Sequence, residues 1–199
     1  MSDKIVYYYS HMSPWTYLGH DRLMKLAADK GLEIDYVPLT LAKVFPVSGG
    51  LPLPKRPIQR QAYRMSELHR WPDYLGIPLN PEPAHFPGND APAAKMALIA
   101  QAEGHDIGKL SGAYLRAVWV EERDINDEAT LISIANENGF DGADLLEKSK
   151  SEEVEKMLDA ACQRCNYAQA FGSPWYEYKG EGFWGQDRLD MLAYIIDKK

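Results

Sequence analysis

The sequence predicts an α/β protein: a mixed sheet with a large all-helical insertion after its second strand. Three observations predict it. Residues 5–39 read as strand, helix and strand. Residues 43–151 hold several helices and no convincing strand. Residues 152–199 read as helix, strand, strand and helix. At 199 residues the chain is long enough for one large domain or two intimate ones.

Each element has its own signal. Ile5 to Tyr9 is β-branched and aromatic, the composition of a strand. From Pro14 to Lys30, Trp15, Leu18, Leu23, Leu26 and Ala27 recur at helical spacing, and Gly31 stands just past the end. Leu32 to Leu39 alternates through Ile34, Tyr36 and Val37 and gives a second strand, ended by Pro38. Strand, helix and strand of these lengths form a right-handed parallel unit. Val44 to Pro57, with Pro46, Gly49, Gly50, Pro52, Pro54 and Pro57, reads as a mobile loop. Ile58 to Tyr74 is helical, with Tyr63 and Leu68 on its expected inner face.

Pro78 to Pro92 also contains Pro81, Pro83 and Pro87 and is extended and irregular. Helices are expected over Ala93–Glu103, Leu110–Glu122, Asp127–Asn138 and Gly142–Lys150, then one long helix over Glu152–Phe171. A strand at Trp175–Lys179, a turn at Lys179-Gly180-Glu181-Gly182 and a short strand at Phe183-Trp184 follow. The last helix runs from Gln186 or Asp187 to Lys198. The final strands form an antiparallel pair, so the sheet is mixed.

Composition narrows the function classes. Hydrophobic residues are 45% and charged residues 26%, an ordinary globular balance. A formal net charge of −7 argues against nucleic acid, whose phosphates need a basic surface. No basic amphipathic helix suggests a membrane surface, and no apolar stretch approaches the length of a span. Met1-Ser2-Asp3-Lys4 runs straight into a strand without a leader pattern, so the expected compartment is the cytoplasm. Cys162 and Cys165 are too few for a disulfide framework. His11, His20, His69, His85 and His105 show no metal-ligand spacing, so no metal is expected.

Three short segments carry chemistry. Ser13-Pro14-Trp15-Thr16 opens the first helix. Ser favours the N-cap and Pro the first helical position, so the pair can be a boundary and nothing more. Ser173-Pro174 precedes the third strand, where a proline is tolerated. A trans strand-initiating proline and a cis proline offering backbone to a peptide-like ligand are both open readings. Gln186-Asp187 starts the last helix. Asp187 is either a first-turn residue favourable to the helix dipole or, beside an exposed Gln186, the partner of a small peptide's ammonium group.

The element order is thioredoxin-like. In that fold the slot at the first helix start carries Cys-x-x-Cys. Ser13-Pro14-Trp15-Thr16 has no thiol, so chemistry in that slot must use a borrowed one. The segments Tyr8 to Leu18, Tyr63 to Trp71, Phe86-Pro87-Gly88-Asn89, Phe171-Gly172-Ser173-Pro174 and Phe183 to Arg188, in that order, resemble the 2-hydroxychromene-2-carboxylate isomerases and the kappa-class glutathione transferases. Both are DsbA-like thioredoxin folds, and the resemblance spans nearly the whole chain.

The resemblance implies glutathione as cofactor, bound by Ser13, Pro14, Trp15, Ser173, Pro174, Gln186 and Asp187. It makes Ser13 the catalytic residue, donating a hydrogen bond to the sulfur. It implies a reversible thiolate addition and cis–trans isomerisation of an aromatic pyruvate, hence a small aromatic or conjugated substrate, and a homodimer. A thioredoxin-like glutathione-binding domain would comprise residues 1–42 and 152–199, with an inserted helical domain of residues 43–151. Relatives carry Lys-Ala-Thr-Gly-Asn near the start of the insertion, where this chain has Pro46-Val47-Ser48-Gly49-Gly50. The acceptor half is therefore altered. Lys43, three residues early, Asn89, which matches a family Pro-x-Asn, and His11 are the substrate-side candidates. His11 either lines the sulfur pocket or is a turn residue.

Three other functions compete. A kappa-type transferase or peroxidase would use the same site and consume glutathione. A dithiol oxidoreductase would use Cys162-Gln163-Arg164-Cys165, but that motif falls inside a helix and reads better as core. A non-catalytic binding module on the same fold is the third.

Overall fold

A computed structural model describes residues 3–199; Met1 and Ser2, counted above with the N-terminus, lie outside the described residues. Strand β1 (Lys4–Tyr9), helix α1 (Pro14–Lys30) and strand β2 (Glu33–Pro38) form the expected parallel unit, with Lys4 opposite Glu33 and Tyr9 opposite Pro38. The chain returns through β3 (Trp175–Tyr178), antiparallel to β1, and β4 (Glu181–Trp184), antiparallel to β3. The sheet order is β2-β1-β3-β4.

Between β2 and β3 run α2 (Leu41–Ser48), α3 (Ile58–Leu75), α4 (Ala91–Ala102), α5 (Gly108–Trp119), α6 (Glu128–Glu137), α7 (Gly142–Ser149) and α8 (Glu152–Tyr167). Helix α9 (Leu189–Ile196) closes the chain after a short 3-10 turn at Gln186–Arg188. This is a thioredoxin-like fold carrying a helical insertion.

The period-2 alternation of β1 divides the packing. Ile5, Tyr7 and Tyr9 face α1 and α9 and pack with Leu23, Ala27, Leu189 and Leu192. Tyr8 faces the other way, onto α8, with Leu158, Cys162 and Cys165. A third cluster, built on Tyr114, Trp119, Leu131 and Ile134, holds the inserted helices together. Each fully buried Leu or Tyr of this kind contributes about 1.5–3 kcal/mol, so the two-sided burial of β1 fixes its register.

Helix α1 has the expected bounds for clear reasons. Ser13 caps its N-terminus, and Gly31 at φ 64 caps its C-terminus, donating its N–H to the Ala27 and Ala28 carbonyls. Elsewhere the structure corrects the reading. The loop expected over Val44–Pro57 begins as helix α2, with Pro46 inside it. The buried Val44 packs there against the α8 side of the sheet, and tertiary burial overrides the proline. Tyr63, expected inside, is 63% exposed, whereas Leu68 is buried as expected. Helix α8 stops at Tyr167, short of Phe171, where Gln169 turns left-handed at φ 55. The hairpin turn is only Lys179-Gly180, with φ 47 and 80, so β4 starts at Glu181. Positive φ at both residues is what a tight two-residue hairpin requires.

Candidate active site

The first helix start is cross-linked to the segment before β3. The Ser13 hydroxyl accepts from the Thr16 N–H at 3.2 Å and donates to the Ser173 carbonyl at 3.0 Å. Ser173 is itself held twice: its hydroxyl accepts from the Ser10 N–H at 2.8 Å and pairs with the Thr16 hydroxyl at 2.8 Å. The Ser173-Pro174 bond is cis, not trans. Both serines are buried.

The first turn of α1 leaves one donor. Pro14 has no N–H, the Thr16 N–H goes to Ser13 Oγ, and the Tyr17 N–H goes to Ser13 O at 3.1 Å. The Trp15 N–H is the first-turn donor left without a partner among the described residues, and it lies at the positive end of the helix dipole.

The third segment joins through backbone. The Gly185 N–H donates to the Pro174 carbonyl at 3.0 Å, with Gly185 at φ 100, a value that suits glycine. Gln186 was expected to be exposed; it is 2% exposed. Its side-chain oxygen accepts from Arg22 of α1, and its backbone carbonyl accepts from the same guanidinium at 3.3 Å. Gln186 thus clamps the 3-10 turn to α1 instead of reaching for a ligand. Gly19 permits that closeness: a Cβ there would lie 2.6 Å from the Tyr176 hydroxyl and 3.0 Å from Gln186 Cβ. Asp187 is exposed, with Arg188 at 3.4 Å.

Sequence reading missed Asp90. It is fully buried, accepts from the Ser10 hydroxyl, and lies 3.4 Å from the Met12 N–H. Burial raises its pKa above the usual carboxylate range. It locks the loop that presents Ser13. Asn89-Asp90-Ala91-Pro92 signals a helix start, but the Asp90 side chain makes no capping bond and turns to Ser10 instead. Asn89 comes alongside: its side-chain oxygen accepts from the Ala91 N–H at 3.1 Å, and its own N–H donates to Asn126 at 2.7 Å.

The other substrate-side candidates fare differently. His11 is buried against Tyr9 and Tyr114, with ring centroids at 5.3 and 5.5 Å. Neither ring nitrogen has a partner among the described residues, and burial pulls its pKa down to about 3. It is a neutral packing residue under the Ser13 loop. Lys43 is tied to Glu155 and, at 2.5 Å, to Asp159 of α8; its ammonium serves α2–α8 packing, which argues against a substrate role. Cys162 and Cys165 are buried, and burial pushes the Cys165 thiol up to about 12. A thiol so desolvated is inert as a nucleophile, so the core reading of the pair holds.

The description of the DsbA-like thioredoxin domain matches residues 4–197. The chain belongs to the DsbA-like thioredoxin family. Within the family it is 29% identical to the 2-hydroxychromene-2-carboxylate isomerase of Sphingobium xenophagum, over 99% of this chain and 100% of that protein. It is 25% identical to glutathione S-transferase kappa 1 of Caenorhabditis elegans, over 98% and 91% of the two chains. A solved structure of a 2-hydroxychromene-2-carboxylate isomerase superposes with a TM-score of 0.83 at 27% identity, covering 98% of this chain and 95% of that one. At the first helix start this chain carries a serine hydroxyl and no thiol.

Proposed function

We propose that the protein is a glutathione-dependent isomerase of 2-hydroxychromene-2-carboxylate type. The observation that carries this reading is Ser13. A hydroxyl occupies the first position of the Cys-x-x-Cys slot, hydrogen-bonded across to the segment before the cis proline, in a chain similar over its full length to such an isomerase.

The site suits a thiol tripeptide. Ser13 Oγ–H and the Trp15 N–H both stand at the start of α1, and a thiolate is favoured at a helix N-terminus. The Ser13 hydrogen, now directed at the Ser173 carbonyl, turns to the sulfur by rotation about its C–O bond. The Ser173 backbone is then available to the cofactor's own peptide groups. The exposed Asp187 carboxylate would pair with its ammonium. Bound glutathione would supply the thiolate that adds reversibly to the conjugated substrate and so frees rotation about a double bond. The Ser10–Asp90–Met12 contacts hold Ser13 in place, and Gln186 with Arg22 holds Asp187 at the rim.

We read residues 1–42 with 152–199 as the glutathione-binding unit and 43–151 as the inserted helical unit. We also read the protein as a cytoplasmic homodimer acting on a small conjugated substrate; no described helix is long and apolar enough to cross a membrane. The similarity to a kappa transferase supports a second reading, with the same thiolate site but with glutathione consumed.

Calorimetric titration with glutathione tests the site. Saturable binding at millimolar concentration or tighter, weakened in Asp187→Ala, is expected. No detectable heat for the native protein would remove the proposal.

A further inference from the structure

Helix α3 carries an arginine where its sequence period calls for an apolar residue. Gln61, Arg64, Met65, Leu68, Trp71 and Leu75 recur at i, i+3, i+4 and i+7, and all are half-buried or buried. This is the inner stripe of the helix, and Arg64 sits in it. Its guanidinium lies over the Phe86 ring, 5.2 Å from the centroid. Phe86 begins the segment that leads to the Ser13 loop. Two residues on, a Cβ at Gly88 would come within 2.7 Å of the Met12 methyl group, and Asp90 holds Ser10 and Met12. Arg64 therefore stacks on the start of the segment whose Gly88 and Asp90 meet the loop before Ser13.

No carboxylate meets Arg64 among the described residues. Glu67, the acid one turn further along α3, is engaged by Arg70 at 2.8 Å and by the Trp71 indole at 2.9 Å. The charge that acts on it is another cation: Arg56, half-buried, whose Nε donates to the Leu51 carbonyl at 2.8 Å. Burial and Arg56 together pull the Arg64 pKa down to about 10. In a chain of net charge −7, two half-buried arginines with no ion pair to an acid among the described residues are conspicuous. A partly desolvated cation is costly unless an anion completes it, and a guanidinium is shaped to take a carboxylate through two parallel bonds.

We propose that Arg64, seconded by Arg56, is the anion receptor for the electrophilic substrate, binding the carboxylate of a conjugated acid whose reacting carbon faces Ser13. The inference deepens the isomerase reading and rests on it for the identity of the neighbouring thiolate.

The test is calorimetry with cinnamate and cinnamamide, an aryl-conjugated acid and its neutral isostere, each titrated with and without saturating glutathione. The native protein should prefer cinnamate by roughly 10- to 100-fold, the difference a charge-assisted pair makes. Arg64→Met should abolish that preference and leave the glutathione isotherm unchanged, Arg64→Lys should keep part of it, and Arg60→Met, an exposed control, should keep all of it. Circular dichroism and the melting temperature check that each variant folds. Equal binding of acid and amide by the native protein, or a preference that survives in folded Arg64→Met, would overturn the proposal. Failure of glutathione to bind would instead overturn the isomerase reading, because the comparison without glutathione still reports on Arg64.

Discussion

Removing the Ser13 hydroxyl should raise the pKa of a bound thiol by about 1–2 units. The figure follows from the site. Ser13 Oγ is the side-chain donor at the helix start, and a hydrogen bond to a charged group contributes about 1.5–3 kcal/mol. One pKa unit corresponds to about 1.36 kcal/mol. A free thiol titrates near 8.5; hydroxyl and helix N-terminus together, the latter contributing about 0.3–1 kcal/mol, bring it to about 7. In Ser13→Ala only the helix contribution remains, so the thiolate fraction at pH 7 should drop from about one half to about a tenth or less.

The variant also loses the N-cap bond to Thr16, which costs about 1 kcal/mol of stability. Ultraviolet thiolate absorbance of bound glutathione, followed against pH, measures the shift directly. Turnover at neutral pH should fall in proportion and recover in part at alkaline pH. A Ser13→Ala protein that binds glutathione with an unchanged thiolate titration would refute the reasoning, because Ser13 would then be only a cap.

Other predictions concern the supports of the site. Gly19→Ala places a methyl group against the Tyr176 hydroxyl and Gln186; it should cost about 1–3 kcal/mol and weaken glutathione binding, read by denaturant melts and calorimetry. Cys162→Ala with Cys165→Ala should leave activity unchanged, since both thiols are buried, and the native thiols should react with a disulfide reagent only as fast as the protein unfolds. His11 has a folded pKa of about 3 against 6.5 for an ordinary histidine. The unfolded chain therefore takes up the proton first, so this stability is complete above pH 6.5 and is lost as pH falls toward about 3. The slope from this one group reaches about 1.4 kcal/mol per pH unit. His11→Phe, which keeps a ring between Tyr9 and Tyr114, should flatten that slope in melts taken across the window; parallel profiles would disprove it. Asp187→Asn removes an exposed charge and should weaken glutathione binding by no more than about fivefold, the scale of an exposed ion pair, less so at high salt.

What the sequence disclosed and what it hid have separate physical causes. Helix α1 was legible to the residue because both of its ends are local events, a Ser-Pro start and a left-handed Gly31. The mixed sheet followed from a parallel unit and a terminal hairpin, whereas the β1–β3 pairing that joins them spans most of the chain and left no local signal. Helix α2 was hidden because Pro46 and Gly49 signal a break locally, whereas Val44 finds its burial on an element more than a hundred residues away. Tyr63 was misplaced because α3 buries a narrower stripe than its apolar residues suggest, and Arg64 beside it occupies the inner position.

The places of Ser13, Ser173-Pro174 and Asp187 at strand and helix ends were legible. The inward turn of Gln186 was not, because it depends on Arg22 from another helix. The role of Asp90 was hidden for the same reason: its partners, Ser10 and Met12, stand some eighty residues earlier.

The most direct test of the account is the fate of glutathione during turnover of 2-hydroxychromene-2-carboxylate, with glutathione supplied well below the substrate. The account predicts no turnover without glutathione, many turnovers per molecule with it, and quantitative recovery of the free thiol at the end. Glutathione consumed one for one with product, or isomerisation that proceeds equally well without it, would contradict the assignment of Ser13 to a borrowed and returned thiolate.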